Sequence, residues 1–148
     1  MNLDLDEINS EWAKDAIIDD LDLVSSIREI PKLHAKWVQT LSHAKRRWHY
    51  LQSKYNVQRQ LRFRYYRGEL TKAELDEHGW TQWQGIKPFK GEMDEFLKGD
   101  DSLNKQQEKI SAIEIIIQTL EQIVRSINSR GYDLRALLEA KKFYHGSN

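Results

Sequence analysis

Residues 30–68 read IPKLHAKWVQTLSHAKRRWHYLQSKYNVQRQLRFRYYRG, and the spacing inside this stretch decides the fold. Leu33, Trp37, Leu41, Ala44, Trp48, Leu51 and Tyr55 step by 4, 4, 3, 4, 3 and 4 residues. Alternating steps of three and four keep side chains on one side of an α-helix. They predict a long amphipathic helix with a coiled-coil-like seam. Pro31 either starts this helix, where its missing N–H costs nothing, or kinks a continuous one. After Asn56 the register fails. Leu61-Arg62-Phe63-Arg64-Tyr65 alternates with period two, which fits an exposed strand or a helix end showing rings and arginines on several faces. Helix is the favoured reading.

The same 39 residues contain no Asp or Glu. Ten are Lys or Arg, and seven aromatics are threaded among them: Trp37, Trp48, Tyr50, Tyr55, Phe63, Tyr65 and Tyr66. Residues before Ile30 carry 2 basic and 9 acidic groups, net −7, and those after Gly68 carry 11 and 14, net −3. The formal net charge of zero for the whole chain therefore conceals a +10 segment. Cations interleaved with rings suit a polyanion with stackable bases, because phosphates take the charge and bases take the rings. The candidate DNA-binding residues are Lys45, Arg46, Lys54, Arg59, Arg62, Arg64, Tyr65, Tyr66 and Arg67. The plainer alternative is a solvated helix face, but such faces normally intersperse acids.

N-terminal to this segment, Leu5, Ile8, Trp12 and Ala16 recur at helical spacing and predict a helix from Leu3 to about Ala16. Asp20 or Asp22 caps a second short helix reaching Ile30. C-terminal to it, Gly68 to Gly99 holds five of the seven glycines and Pro88, marking a connector. Within the connector, Thr71 and Glu74 form a capping-box pattern and Gly79 a terminator, giving a short helix around Lys72 to His78. Trp80, Trp83, Ile86 and Phe89 form a turn region whose rings are expected to pin the loop over the core. A further short helix is expected from Glu92 to Lys98, ending at Gly99.

The last third reads as a second long helix, capped by Asp101 or Ser102, running to Arg130 and stopped by Gly131. A final helix follows from Asp133 to about Phe143. Ile110, Ile113, Ile117, Leu120, Val124 and Ile127 keep a 3/4 alternation, and Ile116 and Ile123 widen it. This seam, with Leu134, Leu137 and Leu138, is expected to be an interface between copies of the chain. The expected division is a helical single-stranded-DNA-binding part over 1–99 and a helical oligomerisation region over 100–148.

Hydrophobic content of 39% is low but strongly periodic, which indicates folded helices that complete their burial elsewhere. The absence of cysteine excludes disulfides and thiolate chemistry. No apolar run has the ~18 residues of a membrane span, and the acidic N-terminus is unlike a signal peptide, so a soluble intracellular protein is expected. Neither a P-loop nor a dinucleotide fingerprint occurs, which argues against ATP or NAD. His34, His43, His49, His78 and His145 form no i, i+4 pair, which argues against zinc. No nucleophile–base arrangement stands out, so no catalytic residue, metal or cofactor is expected. Arg46, Arg47 and His49 are only a weak hint of a small ribonuclease.

Several motifs together carry a family resemblance. They are Lys14-Asp15 with Ile18-Asp19, then Lys36-Trp37, and the run Arg62 to Gly68 with Tyr65-Tyr66. Ser126-Ile127-Asn128-Ser129-Arg130-Gly131 and a basic C-terminal stretch with Arg135 and Ala140 complete the set. In order and spacing, over nearly the whole length, the chain resembles the UvsY recombination mediators of T-even-related tailed phages. The resemblance implies an all-α, ring-forming homo-oligomer, a heptamer in the manner of that family, that binds single-stranded DNA. It implies partners as well: a phage RecA-like recombinase, loaded onto strands coated by the phage single-stranded-DNA-binding protein, in the cytoplasm of the infected host cell. In the family's DNA-binding motif a Lys precedes the Arg by two positions. Arg62 matches the Arg, whereas the Lys position reads Gln60, with Arg59 and Arg64 nearby. The connector is longer than the family's, and Trp80 and Trp83 have no counterpart in it. The alternative function is a helical adaptor whose basic face grips an acidic protein.

Overall fold

The computed structural model describes residues 1–146, all helix and loop, with no strand among them. Five helices follow in order: α1 (Leu5–Asp15), α2 (Leu23–Tyr66), α3 (Lys72–His78), α4 (Met93–Lys98) and α5 (Asp101–Gly146). The all-α expectation holds, and the period-two run Leu61–Tyr65 is helix. By contacts the chain forms two compact units, residues 1–47 with Ile113 onward, and Trp48–Ala112. The division between these units falls inside both long helices.

The first two helices start at acidic caps. Asp4 accepts from the Glu7 amide at 2.9 Å and begins α1, with Asp6 and Glu7 in the first turn. Asp22 accepts from the Ser25 amide at 3.1 Å and begins α2. Pro31 lies inside α2, which runs unbroken through the proline, so no separate short helix ends at Ile30. The proline removes one intrahelical donor, and burial of the seam around it outweighs that loss.

In the first unit, α1, the N-terminal part of α2 and the C-terminal part of α5 enclose one core. Ile8, Trp37, Ala44, Leu120 and Ile127 are wholly buried there. The rings of Trp12 and Trp37 meet edge to face at 5.9 Å, a favoured aromatic geometry. A polar clamp lies beside them. Lys36 reaches Asp15 at 2.7 Å and Glu11 at 2.9 Å, and the Trp37 indole donates to Asp15 at 2.9 Å. Burial pushes the Lys36 ammonium down, but the two carboxylates outweigh it and hold its pKa above the usual value. From α5, Arg130 stacks on Trp12 and donates to the Asp15 carbonyl at 2.9 Å, closing the end of α1.

One expectation is corrected here. Gly131 does not end a helix; α5 continues through it to Gly146, so the separate helix from Asp133 does not exist. The reason is the seam, in which Ile127 and Leu134 are both buried. Interrupting the helix between them would forfeit more than the ~1 kcal/mol that a mid-helix glycine costs. The seam itself is also covered mostly within one chain. Ile110, Ile113, Leu120, Ile127 and Leu134 are buried, and Ile117, Val124 and Leu138 are half-buried. Only Leu137 of the expected interface is exposed.

In the second unit, α3 has the expected capping box between Thr71 and Glu74, and Gly79 closes it with φ +68°. The second short helix forms as Met93–Lys98, one residue inside the expected start. Tyr66, Met93, Leu97 and Leu103 form the core, with Tyr55, Phe63, Tyr65, Trp83 and Phe96 packed on it. Trp80 and Trp83 do lie against this core. Tyr65 meets their rings at 5.4 and 6.1 Å, and Trp83 meets Tyr66 at 5.0 Å. No helix among the described residues is long and apolar enough to cross a membrane.

Candidate nucleic-acid interface

At the end of α2 the second unit is built around a buried carboxylate. Asp100, with no exposed side-chain surface, accepts from Arg62 Nε at 2.7 Å, from the Tyr66 hydroxyl at 2.6 Å, from the Ser102 hydroxyl and from the Leu103 amide at 3.0 Å. The last bond makes Asp100 the cap of α5, in place of the expected Asp101 or Ser102. Burial pushes its carboxyl up, but these donors outweigh burial and hold it below the ordinary carboxylate range. Burial and the neighbouring carboxylate push the Tyr66 phenol up. Burial would lower the Arg62 guanidinium, yet Asp100 and Tyr66 keep it above its usual value. Arg62 also stacks on Tyr65 at 4.4 Å and on Trp80 at 4.6 Å. A sequence scan seeking cations and rings passes over Asp100, because its role exists only once α5 begins beside Arg62.

The other cations of the segment sit nearer the surface, and acids from outside the acid-free stretch meet several of them. Arg64 forms a two-pronged pair with Glu74 at 2.9 and 3.0 Å, which lowers the Glu74 pKa and raises that of Arg64. Arg59 pairs with Asp94 at 3.3 Å and Arg67 with Glu69 at 2.8 Å. In the first unit Lys45 reaches Glu121 at 4.0 Å. Arg46 lines an open groove with Lys36, Gln39, Thr40 and His43. Lys54 is exposed and lies over the Tyr50 ring at 5.5 Å. Tyr65 is half-buried, its hydroxyl donating to the Thr81 carbonyl at 2.8 Å, and Tyr66 is buried. Of the candidate residues, the second unit gathers Arg59, Arg62, Arg64, Tyr65, Tyr66 and Arg67 at one helix end, with Lys54 further back along α2, while Lys45 and Arg46 belong to the first unit. No group of residues able to hold a metal occurs among the described residues.

Exposed ion pairs contribute ~0–1 kcal/mol each and exchange partners readily, so phosphates can displace Asp94, Glu74 or Glu69. The Arg62–Asp100 pair is different, because separating it leaves a charge stranded in the core. The described residues define an all-helical protein whose cations and rings concentrate at the C-terminal end of α2. The chain belongs to the UvsY family, described as recombination, repair and single-stranded-DNA-binding proteins, whose family model matches residues 11–147. Its fold is similar to crystal structures of the bacteriophage T4 recombination mediator protein UvsY. In one lattice type the TM-score is 0.83 at 21% identity, covering 97% of this chain and 99% of that one. In another it is 0.79 at 20%, covering 95% and 98%. Among curated protein sequences the chain finds no match.

Proposed function

We propose that this chain is a homo-oligomeric recombination mediator that binds single-stranded DNA and helps load a RecA-like phage recombinase. The loading would take place on strands coated by the phage single-stranded-DNA-binding protein, in the cytoplasm of the infected host cell. The observation that carries this reading is membership of the UvsY family over residues 11–147. The mediator works by binding alone, with no cofactor and no bond made or broken. Lys45, Arg46, Lys54, Arg59, Arg64 and Arg67 attract phosphates with little sequence preference. Tyr65 offers a ring beside them, while Arg62 and Tyr66 hold the end of α2 in place through Asp100. Residues 1–99 supply the grip, and the region from 100 onward supplies contacts between copies. Joining copies places many weak sites on one strand, and that raises avidity far above single-site affinity.

The test is fluorescence anisotropy with labelled oligo-dT, followed by strand exchange with a RecA-like recombinase on coated DNA. Salt-sensitive binding and a shorter lag in strand exchange are expected. A chain that binds no oligo-dT at moderate salt is not a mediator of this kind.

A further inference from the structure

Outside the +10 segment, the connector loop between α3 and α4 places two large apolar side chains in solvent. Ile86 is 82% exposed and Phe89 is 75% exposed. This loop is fastened from beneath. The Trp83 indole donates to the Ile86 carbonyl at 3.2 Å, while its ring packs on Tyr66 and Phe96. The Phe89 carbonyl accepts from the Glu92 and Met93 amides at 2.9 and 3.1 Å, fixing the backbone under the ring. The Lys87 stem lies over Gly68, where a Cβ would come within 3.3 Å of it. A ring held out on a fixed backbone loses little freedom when it binds something.

Charge indicates what it binds. From Gly79 to Gly91 there is no acid, and Lys87 and Lys90 flank Phe89. The arginines at the end of α2 are matched by Asp94, Asp100, Glu74 and Glu69. Among the described residues Lys87 and Lys90 have no carboxylate partner. In this unit the loop therefore carries positive charge not already answered by the fold. A ring between two open cations matches a nucleotide, with its base face and its two flanking phosphates.

We propose that the loop from Gln84 to Gly91 is a second single-stranded-DNA contact, in which Phe89 stacks on a base and Lys87 and Lys90 hold the adjacent phosphates. This rests on the DNA-binding reading above and adds a site outside α2. The experiment uses the full chain and labelled oligo-dT across a salt series, with circular dichroism on each variant. Phe89→Ala should weaken binding about 5- to 150-fold at fixed salt, the range that one base–ring stack spans. Lys87→Ala with Lys90→Ala should flatten the log–log salt dependence by about 1.4, at ~0.7 per phosphate. Ultraviolet crosslinking to oligo-dT should mark the peptide containing Phe89. A parent that binds while both variants match its affinity and slope overturns the loop and leaves the mediator reading standing. A parent that binds no oligo-dT overturns both.

Discussion

Arg62 Nε lies 2.7 Å from Oδ2 of Asp100, and the aspartate side chain has no exposed surface. An arginine of the acid-free segment is therefore bound within the protein to the residue that caps α5. The same carboxylate holds Tyr66 at 2.6 Å. One acid fixes how the end of α2 meets the start of α5, and thereby where the surrounding surface cations point.

Arg62→Ala is expected to destabilise the protein by about 3–5 kcal/mol, the cost of leaving a buried partner unpaired. Arg64→Ala, which breaks a pair near the surface, should lower the melting temperature far less yet weaken oligo-dT binding. Thermal melts beside anisotropy titrations separate the two. Equal melting points with the larger binding loss in Arg62→Ala would make Arg62 a DNA contact and not an anchor.

Acid should unfold the protein through Asp100. Its folded pKa lies below the unfolded value of about 3.9, so its contribution is complete above that value and is lost as pH falls through the folded one. Tyr66 acts in the opposite sense. Its raised folded pKa gives stability that is present below about 10 and lost as pH rises through the folded value. Asp100→Asn should lower stability at neutral pH and flatten the acid limb of the stability curve. An unchanged acid limb would assign the acid transition to other carboxylates.

Helical periodicity in residues 33–55 and 110–127 was enough to read the two long helices, because burial imposes steps of three and four on any sequence that forms them. The Thr71–Glu74 capping box and Gly79 were legible for a similar reason, since their chemistry is local. What sequence hid was pairing across distance. Residues 30–68 hold no acid, so they read as a bare positive surface, but Glu74, Asp94 and Asp100 fold back onto them. For the same reason the burial of much of the α5 seam within one chain shows only in the fold. The candidate Lys54 stays exposed, and Tyr66 moves from surface to core.

Contacts between copies should use what α5 leaves outside. Leu120→Ala, at a wholly buried position, should cost about 2–5 kcal/mol without acting on assembly directly. Leu137→Asp, at a side chain 39% exposed, should leave helix content intact and lower the sedimentation coefficient by separating subunits. A full-size oligomer in Leu137→Asp would place the interface on another face.

Gly131 provides the sharpest contrast between a local signal and the fold that overrides it. A glycine that ends a helix adopts positive φ, where an added Cβ is strained, so alanine there would destabilise. In this chain the positive-φ glycines are Gly68 and Gly79, and Gly131 lies inside α5. A Cβ at Gly131 would approach Ile30 Cδ1 at 3.8 Å, ordinary van der Waals contact with nothing closer. Alanine there removes the entropy penalty of a mid-helix glycine and adds a methyl against α2. Gly131→Ala should therefore stabilise the protein by about 0.5–1 kcal/mol, raising the melting temperature by a few degrees. Gly79→Ala, at φ +68°, should lower it by a similar amount. A lower melting temperature in Gly131→Ala would mean that α5 breaks at this residue in solution.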